Sequence, residues 1–202
     1  MAGILEKLQS TIVAGVVLLI AMIIVVGLWH EWSSIQMTHA WFTFLFRWLH
    51  VLSGIMWIGL LWYFNFVQIP SMPKIPDEQK PAIGKVIAPT ALFWFRWAAL
   101  VTVVTGLILA AMEGYIVDAI LIGLTDGVSK STAIGIGMWL GGIMAFNVWF
   151  IIWPNQKRAL GIVDATPDEK KASARRAMLT SRFNTMLSIP MLYAMVSAQN
   201  LY

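Results

Sequence analysis

Apolar residues in this chain fall in blocks long enough to cross a lipid bilayer, which restricts each block to a structure that satisfies its own backbone. A spanning helix needs about 20 predominantly apolar residues and makes all its peptide hydrogen bonds within itself. The run from Ile12 to Leu28 is the plainest block and carries no charge. It is too long for a cleavable signal and lacks a small-residue cleavage site, so it reads as a retained span. Hydrophobic residues make up 59% of the 202 residues and charged residues 12%, a balance that excludes an ordinary soluble domain. The fold class is therefore all-α: a polytopic membrane helix bundle, residues 1–202 forming a single integral membrane domain. Five spans are expected, at about 11–28, 41–64, 89–111, 132–153 and 183–198, the second with an interfacial start near Ser34.

The basic residues set an orientation. Lys7, Lys74, Lys80, Lys85, Arg96, Lys157, Arg158, Lys170, Lys171, Arg175, Arg176 and Arg182 fall on one side of the five-span arrangement, and Arg47 and Lys130 on the other. That places twelve of the fourteen Lys and Arg residues together, which predicts a cytoplasmic N-terminus and an outward C-terminus. The net charge of +4 follows this topology and gives no reason to expect nucleic acid as a partner. The sequence has no cysteine, so disulfides, thiolate metal sites and covalent c-type heme attachment are excluded within it.

Two connections carry local order. Thr166-Pro167-Asp168-Glu169 supplies an N-cap, a proline at the first helical position and the glutamate of a capping box. A polar helix is expected to start there, run toward Met178 and fuse with the fifth span. Pro70, Pro73, Pro76 and Pro81 are expected to break any long helix in the other connection, leaving a short helix from about Asp77.

The segment Arg47 to Gly59 places an arginine and a histidine in an otherwise apolar span. Ionisable groups are costly at mid-bilayer unless they face protein, a cofactor or water. Helical spacing puts Arg47, His50, Gly54, Trp57 and Leu61 on one face. His50 is the candidate ligand of a heme iron, Gly54 leaves room one turn away for a flat group, and Arg47 is the candidate partner of heme propionates. The alternatives are a histidine bonded to a neighbouring helix and an arginine snorkelling to the headgroups. His30 and His39 read as interfacial. His39 and His50 stand roughly 16 Å apart along a continuous helix, too far to hold one heme from both sides.

Phe44-Leu45-Phe46-Arg47-Trp48 is echoed by Phe93-Trp94-Phe95-Arg96-Trp97, with Gly54 and Gly106 further on in their spans. Arg96 lies deeper than Arg47 and has the stronger claim to an interior partner. Gly137 and Gly141 form a small-xxx-small ridge suited to close helix packing. Asn147 extends that face and needs a buried partner. Arg96, Asn147 and Asn184 are the candidates to line an inward pocket for a polar, planar molecule; helix packing and interface anchoring are the alternative. No phosphate-binding loop, zinc-type His/Glu helix motif or serine triad is present, which argues against hydrolysis and nucleotide-driven transport.

The stretches Arg47 to Gly59, Tyr63-Phe64-Asn65-Phe66-Val67, Phe95-Arg96-Trp97 with Gly106, Asn147 to Pro154 and Ser181 to Pro190 resemble the N-terminal membrane domain of the bacterial membrane-bound urate hydroxylase (urate oxidase) family. The resemblance implies a multi-pass protein of the bacterial inner membrane linked to urate oxidation, in which a cytochrome c domain follows the membrane part. This sequence is shorter and ends at Tyr202 without cysteine, so a short form lacking that domain is expected. A weaker similarity, to the heme-b membrane protoporphyrinogen oxidase, rests on a comparable His-x6-Trp helix and on Lys85 before the next span; it implies heme b at His50. The expected function is a heme-b-associated, urate-hydroxylase-like redox protein passing electrons to a separate cytochrome c on the periplasmic side. The alternative is a non-catalytic subunit of a larger respiratory or photosynthetic membrane complex.

Overall fold

The computed structural model of the chain describes residues 2–29, 37–125 and 127–202. Helices are the only regular structure among them. After a turn at Ala2–Leu5, α1 runs Leu8–Trp29, α2 His39–Lys74, α3 Lys80–Met112, the short α4 Ile116–Ile120, α5 Ser129–Ala159 and α6 Pro167–Asn200. Four of these, α1, α2, α3 and α5, are long and apolar enough to cross a membrane, and they mark the chain as a membrane protein. The fifth expected span lies inside α6. That helix is continuous from the capping box onward, but its first half is polar and its second half includes Asn184, Thr185, Ser188, Pro190 and Ser197. His30 and Ser34 lie outside the described residues, and His39 is the exposed first residue of α2.

Contacts divide the chain into two compact units, one up to Phe44 and one from Leu45 to Tyr202. The first holds α1 and the opening residues of α2. The second has a core in which α2 supplies Trp57 and Leu61, α3 Phe95 and Ala99, and α5 Met144 and Val148, each at most 2% exposed. Small residues bring α6 close to α5. Ser173, Ala177, Ser181, Asn184, Ser188 and Ala198 are all buried, and Met195 packs against Gly137. Of the expected glycine ridge, Gly137 makes that contact, whereas a methyl group at Gly141 would meet nothing within 4 Å. The tightest approach is at Gly135, where a side chain would run into the Ala119 carbonyl of α4.

The expected break falls around Pro76, between Lys74 and Lys80, but Pro70 and Pro73 do not act as breakers. α2 continues past Pro70 and Pro73, and the chain leaves helical geometry only at Ile75. Proline removes a donor and crowds the carbonyl four residues back. Here the helix widens ahead of the proline: π-helical segments occupy Tyr63–Gln68, Ile83–Ile87 and Asn147–Ile152, and each ends two residues before a proline, Pro70, Pro89 and Pro154. The wider turn takes up the crowding that would otherwise kink or stop the helix. Helical structure therefore resumes at Lys80, and α3 begins well before the expected residue 89.

Candidate functional site

His50 on α2 and Arg96 on α3 are ionisable side chains set among apolar residues of the second unit. The face carrying His50 is the packing face of α2, as its spacing predicts. His50 Nδ1 lies 2.8 Å from the Thr102 carbonyl of α3. A carbonyl only accepts, so Nδ1 carries a proton and donates it to Thr102. The ring lies over Gly106, where a Cβ would sit 2.9 Å from Cε1. Gly54 faces the Thr102 methyl, 3.8 Å from where its own Cβ would be. Arg47 donates from Nη2 to Glu113 Oε1 at 2.6 Å, at the far end of α3.

These distances bear on heme b. Metal-binding histidines commonly donate the second ring nitrogen to a carbonyl, and the His50–Thr102 bond has that form. Of the rest of the expected cradle, the Arg47 guanidinium is held by Glu113, and Gly54 stands at ordinary contact distance from the Thr102 methyl. In this structure His50, Arg47 and Gly54 all serve the contact of α2 with α3. The glycine that makes room is Gly106, and the flat group it accommodates is the His50 imidazole.

Arg96 has a different environment. Its guanidinium carbon lies 3.6 Å from the centre of the Trp153 ring and about 6 Å from those of Phe93 and Trp149. Stacking of this kind favours the cation but satisfies none of its N–H groups. Nε and Nη1 are buried and have no hydrogen-bond partner among the described residues. Trp149 Nε1, Asn65 Oδ1 and Gln68 Oε1 are likewise buried and unpartnered. Asn65 and Gln68 lie on the π-helical segment of α2 and Trp149 on that of α5. Phe64 meets Phe95 edge-on at 5.6 Å, and Trp97 meets Trp149 at 5.5 Å, so these segments share one end of the unit with Arg96. π-Helical turns recur at functional sites because they re-aim side chains out of the regular helical register.

Asn147 and Asn184, the other expected pocket residues, are consumed by packing. Asn147 Nδ2 donates to Asn184 Oδ1 at 2.8 Å, and Asn184 Nδ2 donates to the Met144 carbonyl at 2.9 Å. The pair clamps α5 to α6. Asn65 Nδ2 similarly donates to Ser181 Oγ at 2.7 Å, and Trp62 Nε1 to Ser188 Oγ at 3.0 Å, tying α2 to α6. Of the three candidates, Arg96 alone offers unused donors. Trp149, Gln68 and the carbonyl of the Asn65 side chain join it. Their signal in the sequence is the proline that follows each π-helical segment.

Residues 122–201 match the family model described as urate oxidase N-terminal. The matched part covers α5, with its Asn147–Ile152 segment, and all of α6. No curated protein and no solved structure gives a significant match.

Proposed function

We propose that this chain is a multi-pass inner-membrane redox protein related to the urate oxidase N-terminal domain, and that it binds a planar anionic purine of the urate class at Arg96. The observation that carries this is the pair of buried, unpartnered donors Nε and Nη1 on a guanidinium held by aromatic rings. Arg96 as a whole is only part-buried, but two of its N–H groups are cut off from solvent, and an anion with in-plane oxygens supplies acceptors of the kind they lack. Trp149 Nε1 adds a donor; Asn65 Oδ1 and Gln68 Oε1 add acceptors for ring N–H groups. The basic connections 74–85 and 157–176 lie at this end of the helices, so the positive-inside rule turns it toward the cytoplasm. With α6 as the fifth span, the C-terminus faces outward.

In this reading Arg96 binds and orients the purine, and the Trp149–Trp153 wall keeps water from its ring. Adding a water oxygen to urate releases electrons and protons, so oxidation requires an acceptor. A cytochrome c on the outer side would fill that role. No step passes through heme at His50.

The test is calorimetric titration of urate into the purified protein. Arg96→Gln should weaken binding at least tenfold, and turnover by the unmodified protein should appear only with added cytochrome c or an artificial acceptor. Equal urate affinity in the Arg96→Gln variant overturns the proposal. The second reading, an accessory subunit of a respiratory or photosynthetic complex, draws on the clamp that takes Asn147 and Asn184 out of any pocket. Stoichiometric co-purification with such a complex, without urate binding, would establish it.

A further inference from the structure

A second polar site lies beyond the apolar core, between the end of α5 and the beginning of α6. A cavity of about 480 Å³ is lined there by Asn155 and Arg158 from α5 and by Glu169, Ser173, Arg175 and Arg176 from α6. Its floor is polar and inaccessible: Asn155 is 8% exposed and Ser173 6%. The only ion pairs in direct contact among the described residues are Arg47–Glu113 and Lys80–Asp77, so none of the three arginines is in contact with a carboxylate. Glu169, the one acid on the lining, feels the charge of Arg158 without direct contact and is anchored at Thr166. Its Oε2 accepts from the Thr166 backbone N–H at 2.8 Å and from the Thr166 hydroxyl at 3.0 Å, closing the capping box.

Three guanidinium groups around a polar floor suit a phosphate, which arginine binds through paired N–H donors. The surroundings point to a phosphate carried by a lipid. The cleft begins just past Trp153, at the depth where interfacial aromatic residues mark the headgroup region. Leu179 is on the cleft wall, and Leu179, Phe183 and Met186 follow one another along the same face of α6, 44%, 46% and 58% exposed. An acyl chain can lie along that track while its headgroup occupies the cleft. Basic pockets on the cytoplasmic side of membrane helices hold anionic lipid in this manner.

We propose that the Arg158–Arg175–Arg176 cleft is a binding site for the phosphate headgroup of an anionic phospholipid. It is independent of the Arg96 site and of any urate chemistry.

The protein is reconstituted into nanodiscs of phosphatidylcholine containing a minor fraction of spin-labelled phosphatidylglycerol, and the motionally restricted lipid is measured. The unmodified chain should enrich phosphatidylglycerol at least fivefold over a phosphatidylcholine label. The Arg158→Gln/Arg175→Gln/Arg176→Gln variant should lose that preference, with monodispersity and helical content checked by gel filtration and circular dichroism. Lys74→Gln/Lys171→Gln, which removes two exposed charges outside the cleft, should keep it. Single Arg→Gln variants, each expected to reduce the preference severalfold, replace the triple variant if it does not fold. An equal loss in the lysine variant means a diffuse surface potential and overturns the proposal, as does an undiminished preference in the arginine variants. Displacement of the labelled lipid by millimolar inorganic phosphate assigns the cleft to free phosphate and overturns the lipid source.

Discussion

His50 and Arg96 are each an ionisable side chain placed by one helix among apolar neighbours, and the structure treats them oppositely. His50 finds a carbonyl on α3, a glycine to lie on and a neighbouring arginine already paired with Glu113. Arg96 finds three aromatic rings and no acceptor. The end that looks most like a cofactor site in sequence is where α2 and α3 pack against each other. The end that looks like an aromatic belt holds the unused hydrogen-bonding groups. Both side chains stand on regular α-helix, but the neighbours of Arg96 include the π-helical segment carrying Trp149, whereas His50 faces the regular helix around Thr102. A regular helix lets side chains interlock, whereas a widened turn rotates them out of register and strands some polar groups.

The largest effect is expected at the clamp beside Arg96. Asn184→Ala removes two bonds and strands the amide of Asn147, while the Met144 carbonyl keeps the Asn147 backbone N–H; at about 1–3 kcal/mol for the stranded group and about 1 kcal/mol for the other bond, thermal unfolding in detergent should register a loss of about 2–4 kcal/mol. The double variant with Asn147→Ala should lose less than the sum of the single losses, because the two side chains share one bond. Additive losses would show that the amides act separately.

Closure at His50 is tested next. Gly106→Ala forces a methyl against the imidazole and should cost about 1–3 kcal/mol, the usual penalty for overfilling a packed site. Gly141→Ala, with nothing in the way, should be tolerated. His50→Ala should reduce stability and leave urate affinity unchanged. If the purified protein shows a b-type spectrum that this variant abolishes, the two ends exchange roles and heme returns to His50.

Arg96→Gln should do the reverse of His50→Ala: at least a tenfold loss of urate affinity, about 1.4 kcal/mol, with no loss of melting temperature. A falling melting temperature with unaltered affinity would make Arg96 a packing residue like its counterpart. Arg47→Gln should be milder, within about 1 kcal/mol, because its pair with Glu113 is part exposed to solvent.

The smallest effect is in the capping box, outside both regions. Bonds from the Thr166 backbone N–H and hydroxyl hold the Glu169 carboxyl below the usual carboxylate range. A lowered folded-state value means the contribution is present above the unfolded pKa, about 4.3, and is lost as pH falls through the folded value. Amide exchange in the first turn of α6, corrected for intrinsic rates, should therefore accelerate on acidification. Thr166→Ala should flatten that dependence; an unaltered pH profile would remove the box as its cause.

Much of this architecture is legible residue by residue. The uncharged run Ile12 to Leu28 and the Thr166-Pro167-Asp168-Glu169 signature predict α1 and the start of α6, because bilayer-length apolarity and capping are local properties. The Arg47–Leu61 face is also correctly read as one face of α2, since helical spacing alone decides it. Pro70 and Pro73 are read too severely, since α2 runs on through both after a π-helical turn, whereas the break does fall around Pro76. That accommodation depends on neighbouring helices holding the widened turn in place.

Pairing is where short-range reasoning stops. His50 meets Thr102 across 52 residues, Arg47 meets Glu113 across 66 and Asn147 meets Asn184 across 37. Composition and spacing establish that each of these polar groups needs a partner, because lipid offers none. The choice of partner follows from how deeply one helix seats against another, which close contacts such as His50 on Gly106 and Met195 on Gly137 set. The same seating satisfies one buried cation-forming side chain and leaves Arg96 with donors to spare.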